Sequence, residues 1–520
     1  MTGATHLLKD NDCEVGCLHL QEKRKGNQNM SRFQVRKVAV LGAGVMGAQI
    51  AAHLVNVRVP VVLFDLPAKE GHKNGIALKA IENLKTIRPS PLGVVNDADL
   101  IQPANYEENL DLLRECDVVI EAIAERMDWK TALYHKIAPH VAPHAILASN
   151  TSGLSITTLS QTLPEEIRPR FCGIHFFNPP RYMYLVELIA TPVTQAHILD
   201  DLETFCTSVL GKGVVRAKDT PNFIANRVGI AGMLATMIEA EKFGLGYDLV
   251  DDLTGKKLGR ASSGTYRTAD VVGLDTMAHV IRTLQETLSA ETDPFHGSFG
   301  MPVVLARLIE KGHLGQKTRT GFFRKADDGI ERYDAASDAY VQAGQKADDA
   351  YVRILKKPAA ERLRLLHQAQ DPQGRFLWAV LRNSFHYAAV HLQDIASTAR
   401  DIDLAMRWGF GMRQGPFELW QEAGWLDVAR MIREDIEAGR ALCNAPLPQW
   451  VFSGPVADAA GVHTAQGSWN PASRRFEPRR DLPVYQRQHF PESVYGSQSR
   501  DAATAGRTVE ENDAVRLWTL

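Results

Sequence analysis

Residues 35–54 read VRKVAVLGAGVMGAQIAAHL, and this stretch constrains the fold more than any other in the chain. In KVAVLGAG, Val38, Val40 and Leu41 surround Ala39 without polar alternation, as in a strand buried on both faces of a parallel sheet. The run ends in Gly42, Gly44 and Gly47, spaced G-x-G-x-x-G, and a small-residue helix, AQIAAHLV, follows. Gly42 allows a tight turn, Gly44 lets the backbone approach a pyrophosphate, and Gly47 lets helix and strand pack closely. The first amides of the helix then face the phosphates. The glycine spacing alone also fits a plain strand-turn-helix. What separates the two is a second apolar strand, VPVVLFD, which ends at Asp65, 23 residues after Gly42. A carboxylate there accepts hydrogen bonds from the adenosine ribose and repels a 2′-phosphate, which selects NAD over NADP.

Two further buried strands are expected in CDVVIEAIAE (116–125) and HAILASNTS (144–152). Ligands of a doubly wound sheet meet the carboxyl ends of its strands, so Glu125, Ser149, Asn150 and Ser152 belong near the cofactor cleft. Ser152 has a second reading, as N-cap of a helix beginning SITTLSQTL. Next comes RFCGIHFFNPPRYMYLVELIAT. His175 and Glu187 lie in two short apolar strands joined by a turn with Pro179 and Pro180, an arrangement that brings them together. Oxidation of a hydroxyl needs a base for the O–H proton as hydride leaves carbon, and an imidazole titrating near neutrality suits that role. A carboxylate on the other ring nitrogen fixes the tautomer. A histidine in an apolar strand is otherwise an ordinary core residue, and the paired Glu187 decides for chemistry.

At these residues the sequence resembles the L-3-hydroxyacyl-CoA dehydrogenase family. The shared signatures are GAGVMGAQIA, SNTSGLSIT, GIHFFNPP with LVELI, and KDTPNFIANR, spanning about residues 35–230. The resemblance implies NAD-linked oxidation of a 3-hydroxyacyl-CoA to the 3-ketoacyl-CoA, a step of fatty-acid β-oxidation. It implies His175 as general base, Glu187 as its partner, and Ser152 and Asn226 at the substrate's 3-oxygen. Gly42, Gly44, Val45, Met46, Gly47 and Asp65 would hold NAD, with Glu125 and Lys130 on the nicotinamide side and Asn178 supporting the histidine loop. Lys73 and Lys79, expected on the helix after Asp65, are candidates for the CoA moiety; a plain helix surface is their other reading. Two other functions stand beside the leading one: a dehydrogenase of a non-CoA 3-hydroxy acid, and a remnant that binds NAD and CoA esters without turnover.

From Thr220 the periodicity turns helical. GKKLGRASSGTYRTADVVGLD (255–275) and RWGFGMRQGPFELWQEAGWLD (407–427) look alike, with Gly264 and Gly273 spaced as Gly415 and Gly424 are. The expected class is therefore an α/β Rossmann-type doubly wound sheet followed by an all-α region with a duplicated helical domain. The boundaries read are a disordered leader (1–30), the NAD domain (31–218), helical copy 1 (219–325), a solvated helical linker (326–375), copy 2 (376–450), an extended linker (451–505) and the stub of a further domain (506–520). That order resembles multifunctional bacterial β-oxidation proteins cut short before an enoyl-CoA hydratase domain. Other β-oxidation enzymes are then possible partners, and either a monomer or a homodimer is allowed.

The net charge of −2 argues against general affinity for nucleic acid or an anionic membrane. No apolar run reaches the roughly 20 residues of a membrane span. The six cysteines are scattered, without zinc-finger spacing, so free thiols, no metal and a cytoplasmic setting are expected.

Overall fold

The computed structural model describes residues 33–488, 492–495, 508–511 and 516–518, so the expected leader lies outside the described residues. An eight-stranded sheet organises the first part: β1 (Val38–Leu41), β2 (Val61–Asp65), β3 (Ile101–Asn105), β4 (Val118–Glu121), β5 (Ile146–Ser149), β6 (Phe171–Phe176), β7 (Leu185–Ile189) and β8 (Gly213–Ala217). Their spatial order is β3-β2-β1-β4-β5-β6-β7-β8. All neighbours pair in parallel except β6 with β7. Both faces of the central strands are covered, so β1, β2, β4 and β5 are apolar apart from residues at their carboxyl ends. Ala39, Leu41, Val62, Phe64, Val119 and Leu147 enter one core. Val38, Val40, Val61, Leu63, Val118 and Ile120 enter the other. The order reverses between β1 and β4, where α/β sheets bind ligands. The helices of this part are α1 (Val45–Asn56), α2 (Gly75–Leu84), α3 (Met127–Ile137), α4 (Ile156–Gln161) and α5 (Ala196–Ser208).

The helical region follows with α6 (Ala225–Lys242), α7 (Tyr247–Thr254), α8 (Tyr266–Val272), α9 (Leu274–Thr287) and α10 (Val303–Glu310). The expected helical linker is different in structure. It opens with an antiparallel meander of β9 (Phe323–Ala326), β10 (Gly329–Asp334) and β11 (Ala339–Gln342) before α11 (Asp349–Ile354) and α12 (Ala359–Gln368). Nor is it merely solvated, since Tyr333, Tyr351, Leu363 and Leu366 are buried. A second helical set comprises α13 (Pro372–Ile395), α14 (Ala399–Phe410), α15 (Pro416–Glu422) and α16 (Trp425–Glu437). The expected extended linker after residue 450 is also folded, into a meander of β12 (His463–Thr464), β13 (Gly467–Asn470) and β14 (Arg475–Glu477). At the C-terminal end, strands Thr508–Glu511 and Arg516–Trp518 pair as an antiparallel hairpin.

The two meanders correct the expectation of an all-α region and enlarge the repeat. In the first copy Asp251 accepts the amides of Thr265, Tyr266 and Arg267 at 2.7, 2.7 and 2.9 Å. In the second, Asp403 accepts the Phe417 amide at 2.9 Å. Gly264 and Gly415 press on these aspartates: a Cβ there would sit 2.6 Å from the Cα of Asp251 and 2.3 Å from that of Asp403. Six residues on, Asp270 takes the amides of Phe322 and Phe323 at 2.8 and 2.9 Å. Gln421 likewise holds the backbone N–H and C=O of His463 at 2.9 and 2.8 Å. Each helical set thus clamps its own three-stranded meander. The copies meet through buried polar groups as well as apolar ones: Arg382 of α13 donates to Glu239 of α6 at 3.0 Å and to Asp435 of α16 at 2.6 Å. Among the described residues no helix is long and apolar enough to cross a membrane.

Candidate active site

The β1–α1 turn has room for a pyrophosphate. Gly42 takes a left-handed φ of +105°, and a Cβ on Gly47 would meet the Gly42 carbonyl oxygen at 1.8 Å. A Cβ on Gly44 would meet nothing within 4 Å, so the backbone there faces open space. Val45 beside it is 67% exposed, and Met46 is partly buried against the sheet core. Asp65, at the end of β2, accepts the Ala43 amide at 2.6 Å and the Leu66 amide at 2.7 Å. Its carboxylate is held over the glycine turn, where a ribose diol would lie. The donors and shape of this turn fit NAD.

His175 and Glu187 face each other directly across the β6–β7 pair. His175 Nδ1 lies 2.8 Å from Glu187 Oε2, and both side chains are buried. With Nδ1 so engaged, Nε2 is the nitrogen left for a reacting proton. The second oxygen of Glu187 accepts the amides of Ile224 and Ala225, at 3.1 and 2.8 Å, at the start of α6. Those amides have no partner within the helix, and the dipole there favours an anion. One carboxylate therefore orients the imidazole and joins the sheet to the helical region. Asn226 is the next residue of α6 and is half-buried.

Glu125 accepts the Thr151 hydroxyl at 2.5 Å and the amides of Ser152 and Gly153 at 2.9 and 2.7 Å. The loop that carries Ser152 is thus tied to Glu125. These bonds and Lys130 hold the Glu125 carboxyl below its ordinary range, against the opposing effect of burial. The cap of α4 is Ser155, whose hydroxyl accepts the Thr158 amide at 3.1 Å, which releases Ser152 from its alternative reading. Asn150 accepts the Phe176 amide at 2.9 Å and so links this loop to the histidine strand. Lys130 is fully buried, with its ammonium 2.6 Å from Glu121 and 3.7 Å from Glu125. Its charge is thus shared between these two carboxylates. Asn178 accepts from Gln49 of α1 at 3.3 Å, tying the histidine loop to the helix after the glycine turn. Lys73 and Lys79 are exposed, and no hydrogen bond or ion pair joins either side chain to the dyad among the described residues. Lys73 sits in the turn before α2, not on the helix as expected.

Sequence reasoning missed three contributors. Glu121 takes Lys130, the Tyr134 hydroxyl at 2.9 Å and the Ser149 hydroxyl at 2.6 Å. It was visible as an acid ending an apolar strand. Phe177 and Phe223 pack on the imidazole, with ring centroids 4.5 and 5.5 Å away. Phe223 and Asn222 both have left-handed backbones, φ +53° and +61°; asparagine adopts that conformation readily, but nothing in a phenylalanine announces it. A second histidine pair resembles a catalytic triad in outline: His463 bonds Asp403 at 2.6 Å and Ser468 at 2.9 Å. It is fully buried, and desolvation pushes His463 down to about 3, so it serves the second meander.

A mostly parallel sheet with a pyrophosphate turn and a histidine–carboxylate pair near its strand ends is the arrangement of the NAD-binding domain of a dehydrogenase. Residues 37–220 match the 3-hydroxyacyl-CoA dehydrogenase NAD-binding domain, and residues 223–325 and 376–450 match the C-terminal domain of the same family. A probable 3-hydroxyacyl-CoA dehydrogenase of Deinococcus radiodurans is 41% identical over 57% of this chain and 84% of its own length. One of Bacillus subtilis is 36% identical over 80% of this chain and 54% of its own, so the chain spans about half of that relative. The crystal structure of 3-hydroxybutyryl-CoA dehydrogenase from Escherichia coli shares the fold, with a TM-score of 0.60 at 23% identity, over 81% of this chain and 98% of that one. The chain belongs to the 3-hydroxyacyl-CoA dehydrogenase family.

Proposed function

We propose that this chain oxidises the 3-hydroxyl of an L-3-hydroxyacyl-CoA to the ketone. The observation that carries the reading is His175, held through Nδ1 by Glu187 with Nε2 left over, beside an NAD turn. His175 Nε2 accepts the hydroxyl proton. Glu187 keeps the other ring nitrogen protonated and balances the imidazolium. The Ser152 hydroxyl and the Asn226 amide hold the 3-oxygen. NAD, when bound, supplies the hydride acceptor. Glu125, tied to the Ser152 loop, sets the distance between cofactor and substrate sides. Lys73 and Lys79 are free to meet the phosphates of the CoA moiety. Membership of the family supports a place in fatty-acid β-oxidation and a cytoplasmic setting.

The test is NADH oxidation on addition of acetoacetyl-CoA, with NADPH in parallel. A rate with NADH, little with NADPH and its loss in His175→Ala supports the reading. No turnover by a protein that still binds NADH overturns it.

A further inference from the structure

A cavity of 840 Å³ lies at the junction of the two helical copies, between the loop after α7, the start of α12 and the turn before α15. We propose that it binds a phosphorylated amphiphile, a small molecule with a phosphate head and an apolar tail, at a site separate from the His175 dyad.

Charge is the first argument. Seven cationic side chains line the cavity against one carboxylate, Glu422, in a chain whose net charge is −2. Lys257 and Lys357 are paired, with Asp252 at 2.6 Å and Glu361 at 2.7 Å. Lys256, Arg260, Lys356, Arg362 and Arg413 form no ion pair among the described residues. Among the described residues the Arg362 guanidinium bonds only the Leu355 carbonyl, at 3.3 Å, and its Nε is buried without a partner. Burial pushes Arg260 down to about 10. Lys256, Lys356 and Arg413 are exposed at the rim and Arg260 and Arg362 are half-buried; such a gathering of cations favours an anion, and guanidinium groups match phosphate oxygens two at a time.

The remaining wall is apolar: Leu258, Leu355, Leu381, Phe385, Met412 and Leu419. A cavity of this size with convergent polar groups and an apolar wall is typical of small-molecule sites. The frame is built rather than incidental, because the Arg413 amide donates to the Gly259 carbonyl at 2.7 Å and clasps the two loops.

The probe is octyl phosphate, titrated calorimetrically into the full chain saturated with NADH, so that the glycine turn is filled. One equivalent is expected to bind, at least tenfold tighter than inorganic phosphate, and to weaken as salt rises. Arg260→Gln with Arg413→Gln is expected to weaken it at least tenfold without changing the NADH Kd. Leu381→Gln should weaken octyl phosphate and leave inorganic phosphate unchanged. Equal binding by wild type and the arginine variant, or no saturable binding, overturns the site. Equal affinity for the two phosphates overturns the amphiphile. None of these readings uses turnover, so they stand apart from the proposed dehydrogenase reaction.

Discussion

Glu187→Gln isolates what the shared carboxylate does. In the wild type one oxygen takes two amides of α6 and the other takes His175 Nδ1. An amide side chain has one acceptor and one donor end. The two N–H groups at 3.1 and 2.8 Å demand the acceptor, so the NH₂ must turn to His175. Nδ1 then becomes the acceptor and the ring proton moves to Nε2, the nitrogen that takes the substrate proton in the proposed reaction. A wrong tautomer in a comparable dyad costs on the order of 10⁴-fold in kcat. At about 1.36 kcal/mol per decade that is about 5.4 kcal/mol of lost transition-state stabilisation. The fold should lose far less. The amide bonds survive to a neutral acceptor, and the charge-assisted share is about 1 kcal/mol each. Steady-state NADH oxidation with acetoacetyl-CoA measures the first quantity, and urea unfolding the second. A variant that binds NADH normally and keeps kcat within tenfold of wild type would refute the reasoning.

Other perturbations probe other parts of the chain. Asp65→Ser removes the carboxylate over the glycine turn, so the preference for NADH over NADPH should fall at least tenfold by fluorescence titration; an unchanged ratio would put cofactor choice elsewhere. Gly47→Ala drives a Cβ into the Gly42 carbonyl and should abolish NADH binding while the helical region stays folded, as followed by tryptophan emission. Lys212 is buried on the carbonyls of Pro180 and Met183, and desolvation pushes it down to about 8. The unfolded chain keeps that proton up to about 10.4, so wild type should gain stability between pH 8 and 10.4 relative to Lys212→Met. Parallel slopes of unfolding free energy against pH would count against it. His463→Ala strands buried Asp403 and Ser468 and should cost about 3 kcal/mol in urea unfolding with kcat unchanged; a large loss of kcat would assign that pair a part in catalysis.

The legible parts of the sequence were those where one residue type has one physical use. Gly42, Gly44 and Gly47 announce a close backbone approach, and Asp65 closes the same strand-helix-strand unit. The His175–Glu187 pairing follows from two short strands and a two-proline turn, and the structure sets the residues directly opposite each other. The meanders were hidden because their strands are short, charged and half-exposed, without period-two apolarity. What holds them is a polar side chain distant in sequence, Asp270 for one and Gln421 for the other. For the same reason 451–505 read as a linker although Val462 and Trp469 are core residues. Pairing of the Glu187 oxygen with the α6 amides was equally out of reach, since it depends on the left-handed turn at Asn222 and Phe223.

Both helical copies lie on one chain, and the Arg382–Glu239 contact between them is therefore an internal equilibrium. Subunits that meet from solution come apart as they are diluted, at a concentration set by their Kd. A tethered pair has no such threshold, because each copy sees the other at a local concentration fixed by the connecting residues 343–371. The shape that the two copies give each other, and the cavity between them, should be the same at nanomolar as at micromolar protein.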